Sequence, residues 1–141
     1  MTVLIPRSAV DVIRAHGRAA YPEEGCGFLI GKEGTPRRVE ESRPARNVAK
    51  ESRTTRYDVD PADTFRLTKE LRGTGREIVG FFHSHPDHPA RPSEFDRSRA
   101  WTWYTYVIVS VEGGKAVDLR AWVLEETEKA RAFREEDIQL I

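Results

Sequence analysis

Three of the four histidines in this chain lie close together, at positions 83, 85 and 88. Residues two apart in a β-strand point to the same side, so the side chains of His83 and His85 can converge on one ion. Imidazole nitrogens bind Zn²⁺, and a catalytic zinc site typically has three protein ligands and an open position for water. Asp96 is the candidate third ligand, because the proline-containing loop after the strand allows the chain to fold back. These residue types suggest metal-assisted hydrolysis.

Each of these residues also has an ordinary structural explanation. Two histidines at the end of a strand are more often hydrogen-bonded side chains than metal ligands. Ser93 and Asp96 have the spacing of a capping box, in which the carboxylate bonds back to the N-cap backbone. His88 lies between Asp87 and Pro89, and we expect it to face solvent or substrate and not to be a ligand. On local grounds alone, the ligand and the capping interpretations of Asp96 both stay open.

Together these residues form a longer pattern: HSH at residues 83–85, seven residues, Ser93, two residues, and Asp96. This pattern resembles the signature of the JAMM, or MPN⁺, metalloproteases, HxH-x7-S-x2-D, with the same spacing. That family also has an upstream glutamate in a segment similar to P-x-E-x-C-G. Here the segment reads PEEGCG at residues 22–27, which places the glutamate at Glu24. Glu23 is then expected to be solvated.

The resemblance covers about residues 5–124 and implies a zinc-dependent isopeptidase or metallopeptidase. It implies one Zn²⁺ per chain, held by His83, His85 and Asp96. Glu24 would take a proton from the attacking water as general base, and Ser93 would donate its hydroxyl to the tetrahedral oxyanion. Compact relatives of this type act after the C-terminal Gly-Gly of a ubiquitin-like or sulfur-carrier protein. Such a protein is therefore the expected partner and substrate.

Three other functions compete with this interpretation. MPN relatives that lack the metal ligands serve as assembly partners, so a catalytically inactive scaffold or protein-interaction module is the main alternative. A thiol protease with Cys26 as its nucleophile is disfavoured, because metal-bound histidines cannot also act as bases. We expect Cys26 to be buried as a small apolar side chain. A zinc deaminase would need a later P-C-x-x-C motif, whereas this chain has one cysteine.

The elements that must position these residues are predicted from apolar spacing, glycine and proline. The predicted helices begin near Pro6, at Asp60–Pro61 and at Ser93. The predicted strands cover residues 25–31, 37–42, 76–85, 104–111, 115–124 and 129–133. The strand over 76–85 is apolar on both faces, which predicts a central position. Strict alternation places Ile78 and Phe82 on one face of that strand, and Val79 and Phe81 on the other.

Strands and helices are mixed without a regular βαβ alternation, which favours an α+β fold around a mixed sheet. The family resemblance adds that this sheet is strongly curved and flanked by helices, in an architecture similar to that of cytidine deaminases. Residues 1–141 are predicted to form one domain, because a chain of this length supports one core.

The composition excludes some classes of partner. Lys and Arg number 23 and Asp and Glu number 23, so the formal net charge is zero. This balance argues against a bulk electrostatic binder of nucleic acid or of an anionic membrane. Basic residues outnumber acidic ones between positions 37 and 56, which predicts a solvated basic face or, alternatively, a docking site for an acidic partner.

No apolar stretch approaches the roughly 20 residues of a membrane span. Residues 1–6 lack signal-peptide features, and we expect a cytoplasmic protein.

Overall fold

Seven strands and three helices make up the protein, whose computed structural model describes residues 1–141. The strands are β1 (Thr2–Ile5), β2 (Cys26–Lys32), β3 (Arg37–Ala45), β4 (Glu77–Pro86), β5 (Thr105–Glu112), β6 (Lys115–Glu126) and β7 (Arg131–Leu140). They close into a barrel in the order β1-β3-β2-β4-β5-β6-β7, with β7 pairing back onto β1. Three neighbouring pairs are parallel (β1 with β3, β1 with β7, and β4 with β5) and the other four are antiparallel, so the sheet is mixed as predicted.

The helices are α1 (Arg7–Ala20), α2 (Pro61–Leu71) and α3 (Glu94–Arg99). Each begins where the sequence predicts. Pro6 directly precedes α1, and the side chain of Asp60 caps α2 by accepting the N–H of Ala62 at 2.9 Å. Ser93 caps α3. None of the three combines the length and the apolar character that a membrane-spanning helix needs.

The apolar core lies where α1 packs against the barrel strands. Val10 and Ile13 of α1 join the largest buried cluster, to which six of the seven strands contribute. A second cluster lies on the other side of β2 and β4, where Leu67 and Leu71 of α2 cover it. Burial of each such leucine contributes about 1.5–3 kcal/mol. Because β2 and β4 are covered on both faces, their sequences are nearly continuous apolar runs.

Strand β4 contains a β-bulge at Val79. Its register with β2 shifts at this point, since Leu29 pairs with Gly80 whereas Ile30 pairs with Ile78. Val79 is therefore an extra residue without a partner on β2. The residue beside the bulge has to be glycine, because the backbone of Thr105 on β5 approaches Gly80 too closely for a side chain.

The bulge changes which residues of β4 share a face. Val79 lies on the same side as Phe82, in the core against α1, and Ile78 lies on the opposite side with Phe81. The sequence-based assignment, which places Ile78 beside Phe82 and Val79 beside Phe81, is therefore wrong. Strict alternation holds only from the bulge to the end of the strand, where the two histidines lie.

The strands at the two ends of the chain also differ from the prediction. The sequence pattern does not predict β1, because its four residues depend on pairing with both β3 and β7. Strand β7 covers Arg131–Leu140 and not only residues 129–133, since it pairs with β6 along its first half and with β1 along its second. The other predicted strands are present, with boundaries shifted by a few residues.

The basic segment 37–56 is partly neutralised within the protein. Arg37 is buried and donates to Glu33 and to the hydroxyl of Thr105, each at 2.9 Å. Arg43 forms ion pairs with Glu41 at 2.9 Å and with Glu70 at 2.8 Å. These arginines are therefore less available to an acidic partner than their number in the sequence suggests.

Gly80→Ala tests the close approach of β4 and β5. A Cβ atom at Gly80 would overlap the carbonyl oxygen of Thr105. The backbone of a paired strand cannot move away from this overlap without a large cost in free energy. We expect the free energy of unfolding to fall by about 3 kcal/mol or more, measured by urea denaturation. Gly34→Ala is the matched control, because its nearest neighbour would be 3.2 Å away in an exposed turn. Equal losses in the two variants would contradict the close approach.

Candidate metal centre

His83 and His85 lie near the end of β4, where β2 and β5 flank the strand. Both side chains are buried, with 1% and 5% of their surface exposed. Their Nε2 atoms lie 3.1 Å apart. Alternation along the strand therefore brings both imidazoles to one point, as the spacing in the sequence predicts.

Asp96 reaches the same point from the first turn of α3. Its Oδ2 atom lies 3.1 Å from Nε2 of His83 and 2.9 Å from Nε2 of His85. The same oxygen accepts the backbone N–H of Ser93 at 2.9 Å, while the Ser93 hydroxyl oxygen accepts the N–H of Asp96 at 3.0 Å. The capping box and the cluster with the histidines therefore coexist, because the cap aims the carboxylate at the imidazoles.

His85 presents a lone pair to this cluster. Its Nδ1 atom lies 2.8 Å from the carbonyl oxygen of Pro89, which can only accept, so Nδ1 carries the hydrogen. In the neutral ring Nε2 then has no hydrogen. The lone pair of Nε2 therefore points towards a lone pair of Asp96 Oδ2, and the two atoms lie 2.9 Å apart. This contact is repulsive unless a cation lies between the two atoms.

The donor atoms fit a metal ion better than a shared proton. A proton bridges two atoms, whereas three potential ligand atoms here lie within 4.8 Å of one another, on His83, His85 and Asp96. The 3.1 Å between the two nitrogens is close to the roughly 3.3 Å expected for two ligands at about 2.0–2.1 Å from a tetrahedral zinc. Buried oxygens without a partner, Oδ1 of Asp96 and Oε1 of Glu24, lie in the same site. The cluster is positioned to bind a metal ion.

The charges within the cluster keep the carboxylate ionised. Burial alone would raise the pKa of Asp96, but the positive charge that the two histidines carry when protonated lowers it well below its usual value. Burial likewise favours a lower pKa for His83, and Asp96 reverses that effect and raises it. Asp96 therefore has the negative charge that a ligand to a divalent cation needs.

Glu24 lies beside the cluster, just before β2. Two residues later, Cys26 pairs with His83, so the antiparallel pairing of β2 with β4 brings the glutamate to the histidines. Glu24 is 4% exposed, whereas Glu23 is exposed as expected. Burial raises the pKa of Glu24 to about 7, with the nearby histidines acting in the opposite direction. A carboxyl group with this pKa can both accept and return a proton near neutral pH.

Asn47 fixes the backbone around this glutamate. Its Nδ2 atom donates to the carbonyl oxygens of Glu24 at 3.0 Å and Arg56 at 2.9 Å. Its Oδ1 atom accepts the N–H of Asp58 at 3.1 Å. The N–H of Glu24 also donates to the carbonyl oxygen of Arg53, at 2.7 Å. The loop between β3 and α2 thus holds Glu24 through both of its peptide groups.

Tyr57 is a residue of the site that the sequence analysis does not identify. Its ring stacks on His83, with 4.3 Å between ring centroids and 22° between planes. It also lines, together with Asp96, a cavity of about 770 Å³ in which half of the lining residues are aromatic. The sequence contains no spacing that relates this residue to the histidines.

The other candidate nucleophiles and bases lie outside the cluster. Ser84 points away from it, and its hydroxyl accepts the N–H of Gly25 at 2.8 Å. Cys26 is fully buried, and burial raises the pKa of its thiol to about 12. A thiol with this pKa is not a thiolate at neutral pH, which argues against the thiol-protease alternative. His88 is exposed, as expected.

The chain matches the family model of prokaryotic homologs of the JAB domain over residues 6–125. It is 39% identical over 110 residues to a desampylase of Haloferax volcanii, covering 74% of this chain and 78% of the relative. It is 34% identical over 116 residues to a probable TtuB-protein conjugate cleaving protease of Thermus thermophilus, covering 82% and 75%. A CysO-cysteine peptidase of Mycobacterium tuberculosis is 30% identical over 121 residues, covering 85% and 81%.

Solved structures have the same fold. A protein of Desulfitobacterium hafniense, determined in solution, is 31% identical with a TM-score of 0.82, covering 99% of this chain and 92% of that one. A JAB1/MPN domain protein from Archaeoglobus fulgidus is 18% identical with a TM-score of 0.58, covering 100% and 99%. The expected α+β architecture with a curved, mixed sheet is confirmed.

Asp96→Asn separates the cap from the metal cluster. Asparagine keeps an oxygen that can accept the N–H of Ser93, so α3 keeps its cap, but the charge is lost. We expect the wild type to bind about one zinc per chain and the variant to bind it more than about 100-fold more weakly, beyond the usual effect of an outer-shell change. Elemental analysis and chelator competition measure both quantities.

Asp96→Ala completes this comparison. It also removes the half of the capping box in which the carboxylate accepts the N–H of Ser93, while the Ser93 hydroxyl still caps the helix, so we expect the free energy of unfolding of the zinc-free protein to fall by no more than about 1 kcal/mol. If both variants kept stoichiometric, tightly bound zinc, Asp96 would be a helix cap only.

Proposed function

Since this chain belongs to the family of prokaryotic homologs of the JAB domain, we propose that it is a zinc-dependent isopeptidase or metallopeptidase. Its substrate is the bond after the C-terminal Gly-Gly of a ubiquitin-like or sulfur-carrier protein. Membership in this family confirms the resemblance to the JAMM metalloproteases. The relatives support the substrate class, because one is named for cleaving TtuB-protein conjugates and another for cleaving CysO from cysteine.

The observation that carries the proposal is the meeting of two imidazoles and two carboxylates in one buried site. We assign His83, His85 and Asp96 as the ligands of one Zn²⁺, and Glu24 as the carboxylate that stays free. When bound, Zn²⁺ supplies a Lewis acid that polarises the scissile carbonyl and lowers the pKa of water. Three protein ligands leave a coordination position open, as in other catalytic zinc sites.

Glu24 moves the proton in this mechanism. Its carboxylate takes a proton from the attacking water as the water oxygen bonds to the carbonyl carbon. It then gives that proton to the nitrogen of the leaving amine as the C–N bond breaks. The hydrogen bonds from the β3–α2 loop to the backbone of Glu24 hold it in place for both transfers.

Ser93 stabilises the oxyanion. Its hydroxyl oxygen accepts the N–H of Asp96, which leaves the hydroxyl hydrogen free to donate to substrate. Ser93 is partly exposed, unlike the buried Asp96, so a bound carbonyl can reach it. One serine thus serves as both helix cap and oxyanion donor.

Cleavage of a carrier fusion tests the proposed activity. A ubiquitin-like or sulfur-carrier protein ending in Gly-Gly, followed by a short peptide, should be cut after the second glycine by the zinc-loaded protein. A chelator should abolish the cut, and renewed zinc should restore it. If the zinc-loaded protein cut no Gly-Gly carrier, whether joined to a peptide or to a lysine side chain, the inactive scaffold would become the better interpretation.

Glu24→Gln tests the general base. The amide keeps the size of the side chain but cannot take a proton, so we expect turnover to fall by at least about 10²–10⁴-fold while zinc stays bound. Glu23→Gln is the matched control, because the neighbouring glutamate is exposed and should leave turnover unchanged. The role of Glu24 would be refuted by substantial turnover in Glu24→Gln.

Ser93→Ala tests the oxyanion donor. We expect kcat to fall by about 10²–10³-fold with zinc content unchanged. The cap is also lost, and Ser98→Ala controls for loss of a hydroxyl in the same helix, since the hydroxyl of Ser98 bonds only to the carbonyl of Phe95. A kcat for Ser93→Ala close to that of Ser98→Ala would restrict Ser93 to capping.

A further inference from the structure

The loop between β4 and α3, residues 87–92, makes few backbone hydrogen bonds. Pro89 and Pro92 have no N–H, and the loop's one backbone bond to another element runs from Asp87 to the carbonyl oxygen of Val111, at 2.7 Å. The carboxylate of Asp87 accepts bonds from Tyr21 and from the N–H of Gly113, but it holds only the first residue of the loop. The position of the residues that follow therefore depends on side chains that reach them from the barrel.

Three side chains donate to three consecutive carbonyl oxygens of the loop: Ser110 to His88 at 2.6 Å, His85 to Pro89 at 2.8 Å, and Trp122 to Ala90 at 3.0 Å. The donors come from β5, β4 and β6, so three adjacent strands hold one short segment. Ser110 and Ala90 are each 1% exposed, so one partner in the Ser110 bond and one partner in the Trp122 bond is shielded from bulk water.

The bond from His85 to Pro89 determines the tautomer of a proposed metal ligand. Donation from Nδ1 of His85 to Pro89 fixes the tautomer and the orientation of the ring, which leaves Nε2 free to bind a metal. The other histidine has no such partner, because Nδ1 of His83 is buried without a hydrogen bond and the ring is instead stacked on Tyr57. The loop therefore orients His85 directly and makes no such bond to His83.

We propose that Ser110 and Trp122 are positioning residues for the metal centre. By holding the carbonyl groups on either side of Pro89, they keep the Pro89 oxygen where His85 needs its acceptor. Neither side chain has to touch the metal or the substrate. This proposal rests on the metal site of the proposed function, but it does not depend on which bond the protein cleaves.

Two variants remove one donor each and leave the remaining shape nearly intact. Trp122→Phe removes the indole N–H but keeps an aromatic ring, and Ser110→Ala removes only the hydroxyl. Trp103→Phe is the matched control, because Trp103 packs over Arg37 at 4.5 Å, away from the loop. Loss of an outer-shell contact typically weakens metal binding about 10–100-fold. We expect zinc affinity, measured by chelator competition, to fall about 10-fold in each variant and to stay within about twofold in the control.

A second measurement distinguishes positioning from general stability. In the zinc-loaded wild type, the Nδ1 hydrogen of His85 should be visible by NMR and protected from exchange with water. We expect this protection to fall in Trp122→Phe and Ser110→Ala, while the ring signals of His83 stay unchanged. A residue that only stabilised the fold would lower the melting temperature and leave both the zinc affinity and the His85 signal as in the wild type.

The outcomes separate this proposal from the proposed function. Wild-type zinc affinity and a protected His85 hydrogen in both variants would overturn the positioning role, even if the protein cleaves carriers. Weakened zinc binding in both variants would support the role, even if no carrier is cleaved. A wild type that binds no zinc after reconstitution would overturn the positioning role and the metal site together.

Discussion

Oδ2 of Asp96 lies 3.1 Å and 2.9 Å from two imidazole nitrogens and accepts the backbone N–H of Ser93 at 2.9 Å. Because Pro89 fixes a hydrogen of His85 on Nδ1, the nitrogen that faces this oxygen has a lone pair and no hydrogen in the neutral ring. Such a buried contact between acceptors costs free energy unless positive charge lies between them. The metal site, the cap of α3 and the loop after β4 all meet at this one contact.

The barrel places the candidate general base next to this contact and holds the histidines on a central strand. Strand β4 lies between β2 and β5, and its pairing with β2 places Glu24 beside the histidines. The bulge at Val79 lies before the histidines, so β4 packs apolar residues against both α1 and α2 and still presents both imidazoles on one side. In this way a strand that belongs to the core also carries the site.

The parts of the site that sequence reasoning could predict are those defined by local spacing. The same-side position of His83 and His85 follows from strand alternation, and the aim of Asp96 follows from its capping relation to Ser93. The position of Glu24 came from a family pattern, since nothing local relates it to the histidines. Other features depend on contacts between distant segments. The stacking of Tyr57 on His83, the short strand β1, the bulge and the donors to the loop have no signature within their own segments.

X-ray absorption spectroscopy of the zinc-loaded protein tests the central claim most directly, because it reports the atoms bound to the metal without any assay of activity. We expect a shell of nitrogen and oxygen atoms at about 2.0–2.1 Å, with the outer-shell scattering of two imidazoles and no sulfur. A sulfur shell at about 2.3 Å would place Cys26 on the metal and contradict the assignment. Scattering from fewer than two imidazoles would equally contradict the claim that His83 and His85 bind the zinc with Asp96.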